Sequence, residues 1–259
     1  MAVKIKVFTF NLRVVSESDG INIFYNRKER ILGTIANHSP ELIGFQEVND
    51  EMREWLKDSL SAQYELVGCG RNDNYRGESV LIAYKKNVFD AISYETFWLS
   101  AFPAVSGSRF YGTDQSVCPR TCVVVRLKHR EAENVFSFYN THLDHKGAEA
   151  RLLGASQIMQ RISMSPEKFI LTGDMNALTG SPEIELLRTS LRGRGVKELT
   201  EDINVTFHGF GKANHPGKID YIFTDMQADK IDCKVVEDAG IDGVYISDHN
   251  PVYAELIAQ

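Results

Sequence analysis

Ser247-Asp248-His249-Asn250-Pro251-Val252 sets an acid and an imidazole side by side among small and turn-forming residues, directly before the apolar run 252–257. Where a chain leaves a turn for a strand, neighbouring side chains diverge, so a carboxylate and a ring at adjacent positions can address opposite sides of one ligand. Asp-His alone is a common dipeptide. Its weight comes from three clusters upstream: Phe45-Gln46-Glu47, Thr141-His142-Leu143-Asp144 and Gly173-Asp174-Met175-Asn176. Each closes an apolar run rich in β-branched and aromatic residues, the composition of a strand.

Working outward, strand-like runs recur at 3–10, 42–46, 79–84, 96–99, 122–128, 135–141, 169–172, 219–223 and 252–257. Helical periodicity appears at 28–37, 51–60, 148–162 and 182–191. The flanks alternate helix and strand, whereas 79–141 reads as consecutive strands, hence an antiparallel ribbon. Mixed sheets covered by helices are expected. No repeat, low-complexity tract or linker interrupts the chain, so one domain spanning 1–259 is expected. Asn11, Glu47, His142 and Asp174 each follow a strand-like run, and polar residues collected at one rim of a sheet can share a cleft.

Hydrophobic residues make up 43% of the chain and charged residues 25%, the balance of a globular protein. No run approaches the ~18 apolar residues of a membrane helix. The N-terminal residues alternate like a strand and lack a signal-peptide core, which points to the cytoplasm, or to a secreted or periplasmic protein if a leader has been removed. A net charge of −6 argues against a high-affinity nucleic-acid coat protein, because phosphate contacts supply most non-specific affinity. It leaves room for an enzyme that meets phosphate through a bound cation. Cys118 and Cys122 at a strand start read as free buried thiols, and no disulfide framework is expected with Cys69 and Cys233.

The clusters carry coherent chemistry. Magnesium takes one or two protein carboxylates and fills its other positions with water and phosphate, so Glu47 with the amide of Asn11 is a sufficient donor set. Gly173 lets the chain turn after its strand; Asp174 can then accept a proton from water and Asn176 can donate to a phosphoryl oxygen. The competing reading of that tetrapeptide is an Asx turn entering a helix. His249 can pair with Asp220, and His142 with Glu78; a carboxylate on one ring nitrogen raises the imidazole pKa, leaving the other to donate to an oxyanion.

Taken in order along nearly the whole chain, these residues resemble the endonuclease/exonuclease/phosphatase superfamily, with its deoxyribonuclease-I-like fold, and most resemble uncharacterised bacterial members near the deadenylase-like branch. The resemblance rests on Asn11 in Thr9-Phe10-Asn11-Leu12-Arg13, Gln46-Glu47, Glu78, Thr141-His142-Leu143-Asp144, Gly173-Asp174-Met175-Asn176, Ile219-Asp220-Tyr221-Ile222 and Ser247–Val252. It implies an α/β (α+β in some schemes), four-layer αββα sandwich of two packed mixed β-sheets flanked by helices. It also implies Glu47 as principal Mg²⁺ ligand, assisted by Asn11 and Asp248, with Mn²⁺ as a substitute. Asp174 would activate the attacking water beside Asn176, and His249 with Asp220 and His142 with Glu78 would contact the phosphate. Arg13 departs from the abasic-site endonucleases, which carry an Asp there, and that argues against their second metal subsite.

Asn140-Thr141-His142-Leu143-Asp144-His145 is one residue from the H-x-H-x-D-H signature of metallo-β-lactamase-fold hydrolases. Asn140 stands where the first zinc-binding His is required, and that class leaves Glu47 and Gly173–Asn176 unexplained. Calcineurin-like phosphatases need Gly-Asn-His and His-x-His segments that are absent from this sequence. A member that binds a phosphorylated ligand without turnover is the non-enzymatic alternative. The reaction expected is hydrolysis of a phosphate ester by a monomer, with a phosphodiester of a nucleic acid or nucleotide ranked ahead of a phosphomonoester. Two rim segments are candidates for substrate contact. One is 100–119, with Tyr111 leading towards Arg120; the other is 206–212, with Phe207 and His208. Ordinary surface turns with buried aromatic anchors are the competing reading of both.

Overall fold

The computed structural model describes residues 3–226 and 232–258. Met1 and Ala2, which open the alternating N-terminal stretch ahead of the run 3–10, lie outside that range. The strands are β1 (Val3–Asn11), β2 (Leu42–Val48), β3 (Tyr64–Val67), β4 (Ser79–Lys85), β5 (Phe89–Trp98), β6 (Thr121–His129), β7 (Val135–His142), β8 (Lys168–Asp174), β9 (Lys197–Glu198), β10 (Asp220–Thr224), β11 (Asp232–Val235) and β12 (Val252–Ala258). The α-helices are α1 (Phe24–His38), α2 (Asp50–Leu60), α3 (Ala148–Ser163) and α4 (Pro182–Thr189).

Two six-stranded sheets result, in the orders β11-β12-β1-β2-β4-β3 and β5-β6-β7-β8-β10-β9. Both are mixed. Each holds a parallel pair near its middle, β1 with β2 and β7 with β8, and the described pairings around them are antiparallel. A parallel pair needs a crossover, and α1 and α3 supply the two. In register, Asn11 lies beside Gln46 and His142 beside Asp174, so the ends of both pairs reach one rim.

Alternation along the strands builds the layers. In β1, Ile5 and Val7 enter the core between the sheets, with Val123, Phe138, Ile170 and Ile222. Phe8 and Phe10, one position out of phase, meet Ile31 and Ile35 of α1 and Met52 and Leu56 of α2. On the other sheet Phe169 and Leu171 cover Ile158 and Ile162 of α3 and Ile184 of α4. This is the four-layer αββα arrangement expected from the sequence.

Two expectations need correction. The stretch 79–141 is not one ribbon: β4 belongs to the first sheet, while β5, β6 and β7 form an antiparallel meander in the second. A strand reading from composition cannot tell which sheet receives a strand. β5 also extends well N-terminal of residue 96, through exposed residues at a sheet edge where alternation carries no burial signal. Among the cysteines, all four are free, but only Cys122 is buried; Cys118 is half-buried.

Candidate active site

The rim where both parallel pairs end opens into a cleft of about 630 Å³, lined among others by Glu47, Glu78, His142, Asp174, Asp248 and His249. Beneath it the sheets touch through polar groups. Gln46 Nε2 donates to Asn140 Oδ1 at 2.7 Å, and Asn140 Nδ2 donates to the carbonyls of Phe45 and Leu81 at 2.8 and 2.9 Å. Asn140, which occupies the place of a zinc-binding His in the rival reading, is thus a fully buried tie between the sheets.

Asn11 closes β1 and spans the two sheets at the cleft. Its Nδ2 donates to Glu47 Oε1 at 3.1 Å and to Asp174 Oδ2 at 2.9 Å, while its Oδ1 accepts the Arg13 amide at 2.9 Å. Its amide oxygen is engaged locally, so in this arrangement Asn11 acts as a donor bridging two carboxylates. Glu47 sits where the β2–β4 ladder slips between Phe45 and Val48 and has φ of 59°. Arg13 (φ 55°) and Asn176 (φ 47°) share this left-handed conformation. Non-glycine residues held there cost of order 1–3 kcal/mol each and concentrate at functional sites.

Asp174 and Asp220 face each other across the β8–β10 ladder. Asp220 Oδ2 lies 2.8 Å from Nδ1 of His249, and Thr206 Oγ1 accepts the backbone amides of Ile219 and Asp220 at 3.1 Å. His249 Nε2 is 3.8 Å from Asp174 Oδ2, and His142 Nε2 is 3.5 Å from the same oxygen. Asn176 donates its amide N–H to Asp174 Oδ1 at 2.9 Å and its side-chain Nδ2 to the Leu143 carbonyl at 3.1 Å. The predicted His249–Asp220 pair is therefore formed.

The predicted His142–Glu78 pair is not closed. Glu78 Oε1 is 3.7 Å from His142 Nδ1, which has no hydrogen-bond partner, and Arg71 takes the carboxylate at 2.5 Å. Burial, then the charges of Arg120 and Arg71, push the His142 pKa well below its ordinary value, so this ring is neutral rather than charged as expected. His249 behaves oppositely. Burial opposes its charge, but Asp220, then Asp248 and Asp174, raise its pKa to about 10.

The acids are crowded. Burial first, then the charge of Asp220, lift the Asp174 carboxyl to about 7. Burial also raises Asp248, with Glu47 adding to it, and raises Glu78. Burial works against the Glu47 charge too, but the Val14 amide at 3.0 Å, His249 and Asn11 outweigh it, and Glu47 stays below the ordinary range. Glu47, His142 and Asp174 offer ligand atoms within 4.8 Å of one another, as do Asp174, Asp220 and His249. Asp248 belongs to neither group; Arg13 Nε stands 3.8 Å from it, and Arg13 Nη1 is 3.9 Å from Glu47. The excess of buried carboxylates, all oxygen donors, fits a hard divalent cation better than zinc.

Of the predicted contact residues, Arg120 and Phe207 line the cleft. Arg120 is 4% exposed, with Nη2 2.8 Å from His145 Nδ1, Nε 3.4 Å from Asp144, and Nη1 buried without a hydrogen-bond partner. Phe207 packs on His249, ring centroids 5.0 Å apart. His208 turns away: its Nδ1 accepts the Gly211 amide at 3.1 Å and its ring lies on Tyr245. The cause is the chain path, since both His208 and Gly209 amides bind the Asp248 carbonyl at 3.0 Å and stitch this loop to the site. Tyr111 is 68% exposed and lines a separate hollow.

Sequence reasoning missed Arg27 and His145 and treated Arg13 only as a departure. Arg27 is fully buried and donates to the carbonyls of Asn22, Leu12, Ile246 and Arg13 at 2.7–2.8 Å, pinning the segments that carry Asn11 and Asp248. An arginine within an amphipathic helix carries no local sign of such a role. His145 follows Asp144 in the quoted motif, and its pairing with Arg120 forms only when the neighbouring strands β6 and β7 bring the two residues together.

Similar proteins share this architecture throughout. The structure of an endonuclease/exonuclease/phosphatase from Bacteroides vulgatus is 28% identical, covers 99% of this chain and all of that one, and superposes with a TM-score of 0.88. A mannosyl-6-phosphatase from Bacteroides thetaiotaomicron is 26% identical over 97% of this chain and 99% of its own, with a TM-score of 0.83. A mimivirus relative, the uncharacterised protein L388 of Acanthamoeba polyphaga mimivirus, is 24% identical over 88% of this chain and 90% of its own length. The model of the Endonuclease/Exonuclease/phosphatase family matches residues 8–249, which takes in every strand-end acid and histidine of the cleft, and the chain belongs to that family of phosphoester hydrolases.

Proposed function

We propose that the protein is a Mg²⁺-dependent phosphomonoesterase acting on a small polar phosphate ester such as a sugar phosphate. The carrying observation is the distribution of positive charge. Arg13, Arg71 and Arg120 line the cleft together with the charged ring of His249. Each of these arginines is balanced by a carboxylate, Arg13 by Asp19, Arg71 by Glu78 and Arg120 by Asp144, as Arg126, Arg130, Arg161 and Arg188 are elsewhere by Glu167, Asp90, Glu95 and Glu185, so the cleft is marked by their convergence on one point of a chain of net charge −6. A terminal phosphate dianion needs cations at one point, whereas a nucleic-acid strand needs them along a track. Likeness to the mannosyl-6-phosphatase supports the same direction. This reverses the order expected from sequence alone.

Glu47 and Asp174, whose carboxylate oxygens fall in one ligand group, would hold the cation, with Asp248 outside that group; Mn²⁺ has the same donor preference. When bound, it supplies positive charge to the phosphoryl oxygens. Asp174, with its carboxyl at about 7, is poised to orient water for in-line attack and take its proton. His249, held charged by Asp220, donates from Nε2 to a non-bridging oxygen. Neutral His142 and Asn176, whose Nδ2 keeps a second hydrogen, line the same cleft and would add donors. Arg120 lines the cleft with its guanidinium buried, Nη1 lying 3.9 Å from Glu78 Oε1.

Hydrolysis of hexose phosphates, nucleoside monophosphates, p-nitrophenyl phosphate, bis-p-nitrophenyl phosphate and single-stranded DNA tests this in Mg²⁺, Mn²⁺, Zn²⁺ or EDTA, with Asp174→Asn as the blank. Monoester cleavage in Mg²⁺ or Mn²⁺ that is lost in the variant is expected. Preferred cleavage of the diesters would instead favour the second reading, a nuclease or nucleotide phosphodiesterase. That reading draws on Phe207 and Phe210 lining the cleft, where a base can stack.

A further inference from the structure

Four of the large apolar side chains that face solvent gather in one place. Phe102 (61% exposed), Val105 (56%), Tyr111 (68%) and Val117 (84%) line a hollow of about 510 Å³. Contiguous exposed apolar groups on a globular protein mark contact surfaces. This hollow shares a wall with the catalytic cleft. Along 71–72 and 117–120 the residues divide between the two: Arg71, Cys118 and Arg120 line the cleft, while Asn72, Val117 and Pro119 line the hollow.

The wall is built rather than loose. Trp98 Nε1 donates to the Arg71 carbonyl at 2.6 Å, and Ser106 Oγ donates to the Asp73 carbonyl at 2.7 Å. Gly107, at φ of 75°, brings the 100–119 loop so close that a Cβ would lie 2.8 Å from the Asp73 nitrogen. Ser100 and Ser108 are buried and joined hydroxyl to hydroxyl at 2.7 Å, closing the base of the same loop.

We infer that this hollow is a second carbohydrate subsite, which holds the sugar unit next to the phosphorylated one, so that the substrate is a phosphorylated oligosaccharide rather than a free sugar phosphate. The inference rests on the phosphomonoesterase reading of the cleft. Aromatic and aliphatic faces match the apolar faces of a pyranose ring, and Asn72, Asn74 and Ser106 around them can exchange hydrogen bonds with hydroxyls. The hollow carries no excess of positive charge for a nucleic-acid strand: its charged lining residues are one acid, Asp73, and one base, Arg109, which lies over the Tyr111 ring at 5.3 Å. A neutral polyol is compatible with that balance, whereas a phosphate at every unit is not.

The test compares kcat/KM for mannose 6-phosphate with that for a mannose disaccharide carrying the same phosphate, in wild type, Tyr111→Ala and Phe102→Ala. The disaccharide is expected to be preferred by about 10-fold, with the ratio falling towards one in either variant. Equal kcat/KM in wild type, or an unchanged ratio in both variants, overturns the subsite. Should no sugar phosphate be hydrolysed, the cleft reading fails while the hollow can still be probed. Saturation-transfer NMR with an unphosphorylated mannose trisaccharide should show binding that Tyr111→Ala removes. No binding, or Tyr111-dependent binding of single-stranded oligothymidylate in its place, overturns the inference.

Discussion

Asp220 holds Nδ1 of His249 at 2.8 Å while its backbone pairs with Asp174, so one residue orients the charged ring and sets the neighbouring acid in register. Because the pair acts as a unit, His249→Ala and Asp220→Ala should each slow turnover by roughly 10²- to 10⁴-fold, and the double variant should be little slower than the worse single. Steady-state kinetics of the three variants decide this; multiplicative losses would mean the two residues act separately.

The same pair makes a pH prediction for the metal-free protein. The imidazole rises from an ordinary 6.5 to about 10 on folding. A group whose pKa is raised contributes stability that is fully present below pH 6.5 and is lost as pH rises through 10. In EDTA, the Tm difference between wild type and His249→Gln should shrink steadily across that window. A difference that stays constant from pH 6 to pH 11 would contradict a charged His249.

Buried carboxylates at one rim predict a large response to cations. Mg²⁺ or Mn²⁺ should raise the Tm of metal-free protein, with a stabilisation of about 2.7 kcal/mol at a hundred times Kd. Glu47→Gln should weaken binding by about 10- to 100-fold and shrink that shift at fixed cation concentration. Calorimetric titration and thermal melts read both; full binding in Glu47→Gln would remove Glu47 from the donor set.

Arg27 fills four carbonyls on segments leading to Asn11 and Asp248. Arg27→Met leaves those carbonyls buried and unpaired, and should cost about 3–5 kcal/mol in urea denaturation. Arg27→Lys should recover part of the stability but not the cation affinity, since one ammonium cannot reach all four.

Gly44 lies where the sheets close beneath the cleft. A Cβ there would come within 2.3 Å of Thr172 Oγ1 and 2.5 Å of Asn140 Oδ1. Gly44→Ala should therefore cost about 1–3 kcal/mol and reduce kcat by displacing Asn140 and Gln46. A variant with wild-type Tm would show that the inter-sheet contact yields easily.

How much of this was legible beforehand follows from the range of each interaction. Helices α2 and α3 were readable from periodicity because each buries one face, and β1, β2, β7 and β8 from composition because strands covered on both faces read as apolar runs. The polar residues at their ends were readable because four such clusters coincide at strand ends, although each alone is ordinary. Edge strands β3, β9 and β11 were missed, since short, partly exposed strands are held by partners rather than by their own pattern.

The sequence by itself determined which side chains could carry phosphoester chemistry and that they stand at strand ends. Tertiary structure alone decided their partners: Glu78 to Arg71 instead of His142, Asn11 between two carboxylates, His208 turned from the cleft and Tyr111 beyond its wall. Composition and periodicity report local burial. Whether a charge is raised, lowered or cancelled depends on groups from other strands brought within a few ångströms, and that distance is set only when the two sheets pack.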